Sequence, residues 1–107
     1  MEKRVHDELN KLKEIILKTV PVEHIFLFGS YANGIPHDDS DLDLYIVMSE
    51  NTDIREIDAI KLIRRAIRDK KTMPVDIIVS KESKFIQRIS GPTIERHIVQ
   101  EGMVLYG

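Results

Sequence analysis

The segment Asp41-Leu42-Asp43-Leu44-Tyr45-Ile46-Val47-Met48 constrains the fold more than any other part of the chain. It alternates acid and leucine at first and then becomes solidly apolar. This is the pattern of a strand whose one end presents carboxylates while the rest is buried. Charge carried into an apolar strand is costly unless it is compensated, so the two acids call for a chemical partner. Residues i and i+2 of a strand share a face, which places the Asp41 and Asp43 Cα atoms about 6.6 Å apart.

The flanking sequence supplies the elements around that strand. Val5, Leu9, Leu12 and Ile16 recur at intervals of four, three and four, predicting an amphipathic helix over about 2–19 that ends before Pro21. His24-Ile25-Phe26-Leu27-Phe28 is a continuous apolar run closed by Gly29, as expected of a strand at 23–28 buried on both faces. Gly29 to Ser40 is turn-rich, with room for at most one helical turn after Gly29, and Asp38 and Asp39 read as solvated turn residues. Asp53 and Glu56 have the spacing of a capping box, opening a helix to about Asp69 with Ile57, Ile60, Ile63 and Ile67 on its apolar face. Pro74 to Val79 predicts a strand with one carboxylate, Asp76. Residues 80–100 read as two helical pieces broken at Ser90-Gly91-Pro92, with Ser90 as the cap and Pro92 in the first turn. Gly102 stops the second piece, and Met103 to Tyr106 can add a short strand.

Length and charge narrow the function classes. With 107 residues, 42% hydrophobic and 32% charged, the chain is expected to form one domain, 1–107, with its own core. A net charge of −2 argues against a general nucleic-acid coat or a polybasic membrane anchor, so any contact with phosphate is local. The absence of Cys removes disulfides, thiolate metal sites and Cys nucleophiles together. No apolar run reaches the length of a membrane span, and MEKRVHDELNKLKE lacks the apolar stretch of a signal peptide. A cytoplasmic protein is the expectation.

If the strand bearing Asp76 lies beside the strand bearing Asp41 and Asp43, three carboxylates gather and repel one another unless a cation neutralises them. Oxygen-only ligands favour Mg²⁺ or Mn²⁺ over Zn²⁺. Just upstream, Gly29-Ser30 ends a strand and opens a turn. Gly lets another group approach the backbone, and N–H groups with the Ser hydroxyl make an anion site. The pairing suits a nucleoside triphosphate with its divalent metal. Two other motifs fail. The string from Asp39 to Glu50 imitates a calcium loop but has Leu44 where the sharp turn needs Gly, and Gly29 to Gly34 is followed by Ile35-Pro36 where a Walker loop needs Lys and Ser or Thr. The basic stretch Arg64, Arg65, Arg68, Lys70 and Lys71 reads as a solvated helix face, and of the four histidines only His37 adjoins the glycine loop.

Gly29-Ser30, ten residues, then Asp41-Leu42-Asp43-Leu44, with a later strand bearing Asp76, resembles the nucleotidyltransferase superfamily that includes DNA polymerase beta. The string GSYANGIPHDDSDLDLYIV and the ending EGMVLYG resemble the minimal nucleotidyltransferases in particular, including antitoxins of the MntA type. The resemblance implies that Gly29 and Ser30 grip the triphosphate, that Asp41 and Asp43 hold the metals, and that Asp76 helps bind the catalytic metal and activates the acceptor hydroxyl. It also implies ATP as donor and a separate helical HEPN toxin, modified on a tyrosine, as partner. Many relatives carry Arg where this chain has Asn33, so a cationic contact is missing or comes from elsewhere. The expected fold is a small α/β (α+β) domain, with a short mixed sheet, helices packed mainly on one face and the acids on the other face or at an edge. A binding module that inhibits its partner by contact, and transfer to a small molecule such as an aminoglycoside, are the alternatives.

Overall fold

A computed structural model describes residues 1–37 and 39–107, so the reading of Asp38 lies outside the described residues. The elements among the described residues run α1 (Lys3–Thr19), β1 (Val22–Phe28), β2 (Leu42–Met48), α2 (Glu56–Ile67), β3 (Val75–Lys81), α3 (Glu82–Ile89), α4 (Ile94–Glu101) and β4 (Met103–Tyr106). The strands form one sheet in the order β3-β2-β1-β4. β1 is antiparallel to both its neighbours, whereas β2 and β3 are parallel, so the sheet is mixed as expected.

Alternation along the strands divides the core into two layers. Ile25, Leu27, Leu42, Leu44, Ile46, Met48, Val75, Ile77 and Val79 face the two long helices and pack with Val5, Leu9, Leu12 and Ile16 of α1 and Ala59, Ile63 and Ile67 of α2. Each fully buried Leu or Ile there contributes about 1.5–3 kcal/mol. The alternate residues Phe26, Tyr45 and Val47 face the other way and pack with Phe85 of α3 and Ile98 of α4. The main helical layer therefore lies on one face, and two eight-residue helices cover part of the other. α3 begins where β3 ends, at Lys81, so the short helices sit toward the ends of β2 and β3 that lie away from Asp43 and Asp76.

Three local expectations are corrected. Asp53 and Glu56 make no capping box: the α2 N-cap is Arg55, whose guanidinium pairs with Asp58, and Glu56 instead accepts the Lys81 backbone N–H at 3.0 Å. Lys81 is the N-cap of α3, and Glu50 accepts the Ser83 N–H at 2.8 Å, so two carboxylates from elsewhere in the chain cap that helix. The α2 stripe is rotated, leaving Ile57 exposed and burying Ala59. The cap of α4 is Thr93, which accepts the Arg96 N–H at 3.1 Å and donates to the Arg88 carbonyl, while Ser90 belongs to the end of α3 and Pro92 precedes the cap.

Candidate active site

β1 ends at Phe28, which is paired with Asp43, so the chain delivers Gly29 beside the acidic end of β2. Gly29 has φ +77°, and a Cβ there would run into the Asp43 carboxylate. Glycine is required twice over, by the left-handed backbone and by the carboxylate against it. Asp43 fills the space on the Cβ side of Gly29. Ser30 opens the expected single turn, closed by the Asn33 N–H to the Gly29 carbonyl and the Ile35 N–H to the Ser30 carbonyl, both at 3.1 Å.

Asp43 and Asp76 are register partners on the parallel strands β2 and β3. Neighbouring strands lie about 4.8 Å apart, so the two side chains stand side by side. By alternation they share the face of Tyr45 and Ile78, at the end that α3 and α4 leave open. Asp41 lies one residue before β2, exposed, at the mouth of the same end. Burial, then the charges of Asp76 and Asp41, push the Asp43 carboxyl above its ordinary range. Among the described residues no three acidic or imidazole groups close around one point. Such an open, oxygen-only set suits Mg²⁺ or Mn²⁺, which takes one or two carboxylates and completes its shell with water and phosphate oxygens.

Arg64 of α2 is the residue that sequence reasoning missed. Its Nη2 lies 3.6 Å from Asp76 Oδ1. The helical periodicity of α2 marked it as solvated, and only the placement of β3 at the sheet edge lets it reach the acid. Arg65, Arg68, Lys70 and Lys71 remain exposed. His37 is exposed and donates its backbone N–H to Ser40 Oγ at 2.8 Å. It borders a cavity of about 490 Å³ between the start of α1, residues 31–37 and Met103, which none of the three acids lines.

The floor of the site is anchored by a buried network. Tyr45, two residues beyond Asp43 on the same face, has its hydroxyl 2.8 Å from Ser80 Oγ and donates to Glu95 Oε2 at 2.8 Å. Arg88 completes the set with a 3.0 Å hydrogen bond to Glu95 Oε1. Burial pulls the Glu95 carboxyl upward, but the bonds from Tyr45 and Arg88 outweigh it and hold it below the usual range.

A glycine-serine turn set against paired acids at the open end of a mixed sheet is the arrangement of a nucleotidyltransferase. The sequence model of the family described as Polymerase beta, Nucleotidyltransferase matches residues 10–107, and the chain belongs to that family of enzymes. Over 105 residues it is 31% identical to a Methanocaldococcus jannaschii protein named as a protein adenylyltransferase, covering 98% of this chain and 97% of the relative. Among solved structures, a toxin-antitoxin crystal structure with AMP-PNP superposes with a TM-score of 0.64 at 22% identity, covering 92% of this chain and 73% of that one. The toxin-antitoxin MntA-HpeT in a mutant form gives 0.61 at 19% identity, covering 92% and 72%. A nucleotidyltransferase structure from Sulfolobus solfataricus gives 0.57 at 24% identity, covering 97% and 87%. These three share the fold. Among the described residues no helix is long and apolar enough to cross a membrane.

Proposed function

We propose that this nucleotidyltransferase transfers AMP from ATP to a hydroxyl of a protein partner, most simply a tyrosine of a helical HEPN-type toxin, and acts as its antitoxin. The observation that carries the reading is the in-register pair Asp43 and Asp76 beside the Gly29-Ser30 turn. The relative named for protein adenylylation and the toxin-antitoxin structures of the same fold support a protein acceptor.

In this reading the turn at Gly29 and Ser30 offers N–H groups and a hydroxyl to the triphosphate. Asp41, Asp43 and Asp76 would hold Mg²⁺ or Mn²⁺, which supplies charge neutralisation for the attacking and leaving oxygens. Asp76, exposed on the outermost strand, takes the proton of an acceptor hydroxyl arriving from solvent in this reading. A new bond forms between the acceptor oxygen and the α-phosphorus, the bond to the bridging oxygen breaks, and pyrophosphate leaves. With Asn33 in place of an Arg, the turn offers the triphosphate neutral donors and no cation.

Intact-mass analysis of a helical HEPN-type partner protein, after incubation with this chain, ATP and Mg²⁺, tests the reading. An AMP-sized gain is expected with the unaltered chain and none with Asp76→Asn. No gain with either, alongside full inhibition of the toxin by both, leaves a contact inhibitor instead.

A further inference from the structure

We propose that Arg64 is a positioning residue that holds the Asp76 carboxylate in the metal-free protein and competes for it with the divalent cation. The inference rests on reading the acids as the metal site and goes beyond it by giving Asp76 a counter-ion from the chain itself.

α2 packs on the face opposite the acids, yet β3 is the outermost strand, so a long side chain from α2 can pass around its edge. Arg64 reaches Asp76, with Nη2 to Oδ1 at 3.6 Å. Asp43 and Asp76 stand beside each other as register partners, and Arg64 is the cation that the structure pairs with Asp76. The contact is built to be surrendered. It is longer than the roughly 2.7–2.9 Å of a strong charge-assisted bond. Both side chains are about half exposed, at 49% and 61%, where water and salt screen the pair. Such a pair steadies a carboxylate but yields to a divalent ion.

Exposed ion pairs of this kind correspond to a competition factor of about twofold to fivefold. The test is Mn²⁺ binding to the purified chain, read from the loss of the free-ion electron spin resonance signal. Four proteins form the cycle: the unaltered chain, Arg64→Gln, Asp76→Asn and the double variant. Arg68→Gln serves as a control that removes the same charge one turn further on, at the C-cap of α2, and thermal melts establish that each protein is folded. Arg64→Gln is expected to bind Mn²⁺ about twofold to fivefold more tightly, with the gain lost in the Asp76→Asn background and much smaller in Arg68→Gln. An equal gain in the Asp76→Asn background or from Arg68→Gln would reduce the effect to general charge and overturn the proposal. Unchanged or weaker binding by Arg64→Gln, with the unaltered chain binding normally, also overturns it while leaving the metal site standing. No Mn²⁺ binding by any of the proteins overturns both readings.

Discussion

The Asp43 carboxylate sits in the space that a side chain on residue 29 would occupy. The glycine of the turn and the acid of the strand are therefore one structural unit, joined across the β1–β2 pair at Phe28 and Asp43. A change at either position is felt at the other.

Gly29→Ala is expected to destabilise the fold by about 1–3 kcal/mol, from the left-handed backbone and the contact with Asp43 together. In an Asp43→Ala background the loss should shrink toward the backbone contribution alone, about 1–2 kcal/mol. Urea denaturation of the four proteins measures the coupling. Strictly additive losses would show that Asp43 is no obstacle.

Asp43→Asn should melt higher than the unaltered chain at neutral pH. Because burial and the neighbouring acids raise the Asp43 carboxyl, ionising it costs more in the folded state than in the unfolded one. Stability from this group thus falls as pH rises from the ordinary value of 3.8 through the raised one. Asn cannot ionise and escapes the loss, gaining roughly 4–8 °C for each kcal/mol relieved in a domain of this size. The difference should close in acid. Added Mg²⁺ should raise the melting temperature of the unaltered chain more than that of the variant, and equal shifts would argue against Asp43 as a ligand.

Glu8 behaves in the opposite sense. It is buried in α1, accepts the Thr72 N–H at 2.6 Å and pairs with Lys11 at 2.8 Å, tying the first helix to the turn before β3. Burial pulls its carboxyl upward, but the bonds from Lys11 and Thr72 hold it below the ordinary 4.5. Its stabilisation is complete above that ordinary value and is lost as pH falls through the folded one. Glu8→Ala should cost about 1–3 kcal/mol at neutral pH. Glu8→Gln should flatten the acid limb of the stability profile, measured by urea titrations across the acid range.

Tyr45→Phe should cost about 0.5–1.5 kcal/mol, since Ser80 and Glu95 both lose a partner. Glu95→Ala should cost more, because it leaves the Tyr45 hydroxyl and the Arg88 guanidinium without their acceptor. Burial and the Glu95 charge push the Tyr45 hydroxyl far above its usual range, so an alkaline titration should show its ionisation only on unfolding. Early ionisation of Tyr45 would mean that the network is open.

Periodicity made the frame legible. The α1 stripe, the apolar β1 run and the apolar body of β2 stand as read, because burial on one or two faces writes directly into residue spacing, whereas Asp41, expected within that strand, lies exposed one residue before it. The side-by-side placement of Asp43 and Asp76 followed from taking their strands as neighbours. What escaped were contacts between elements distant in sequence. Glu56 matched a local cap but is drawn to Lys81, and Arg64 looked solvated until the strand order put Asp76 within its reach. Local propensity cannot see a competitor for the same carboxylate that arrives from another element.

The strand that presents Gly29 also has β4 on its far side, with Leu27 opposite Met103 and Ile25 opposite Tyr106. These partners are about eighty positions apart in the chain, and β1 already waits on β2 for its other edge. During synthesis the glycine turn is made early but cannot be clamped until residues 103–106 emerge. Such distant pairing is entropically slow to form. A chain emerging from the ribosome would thus carry its acids and its turn well before β4 could pair with β1.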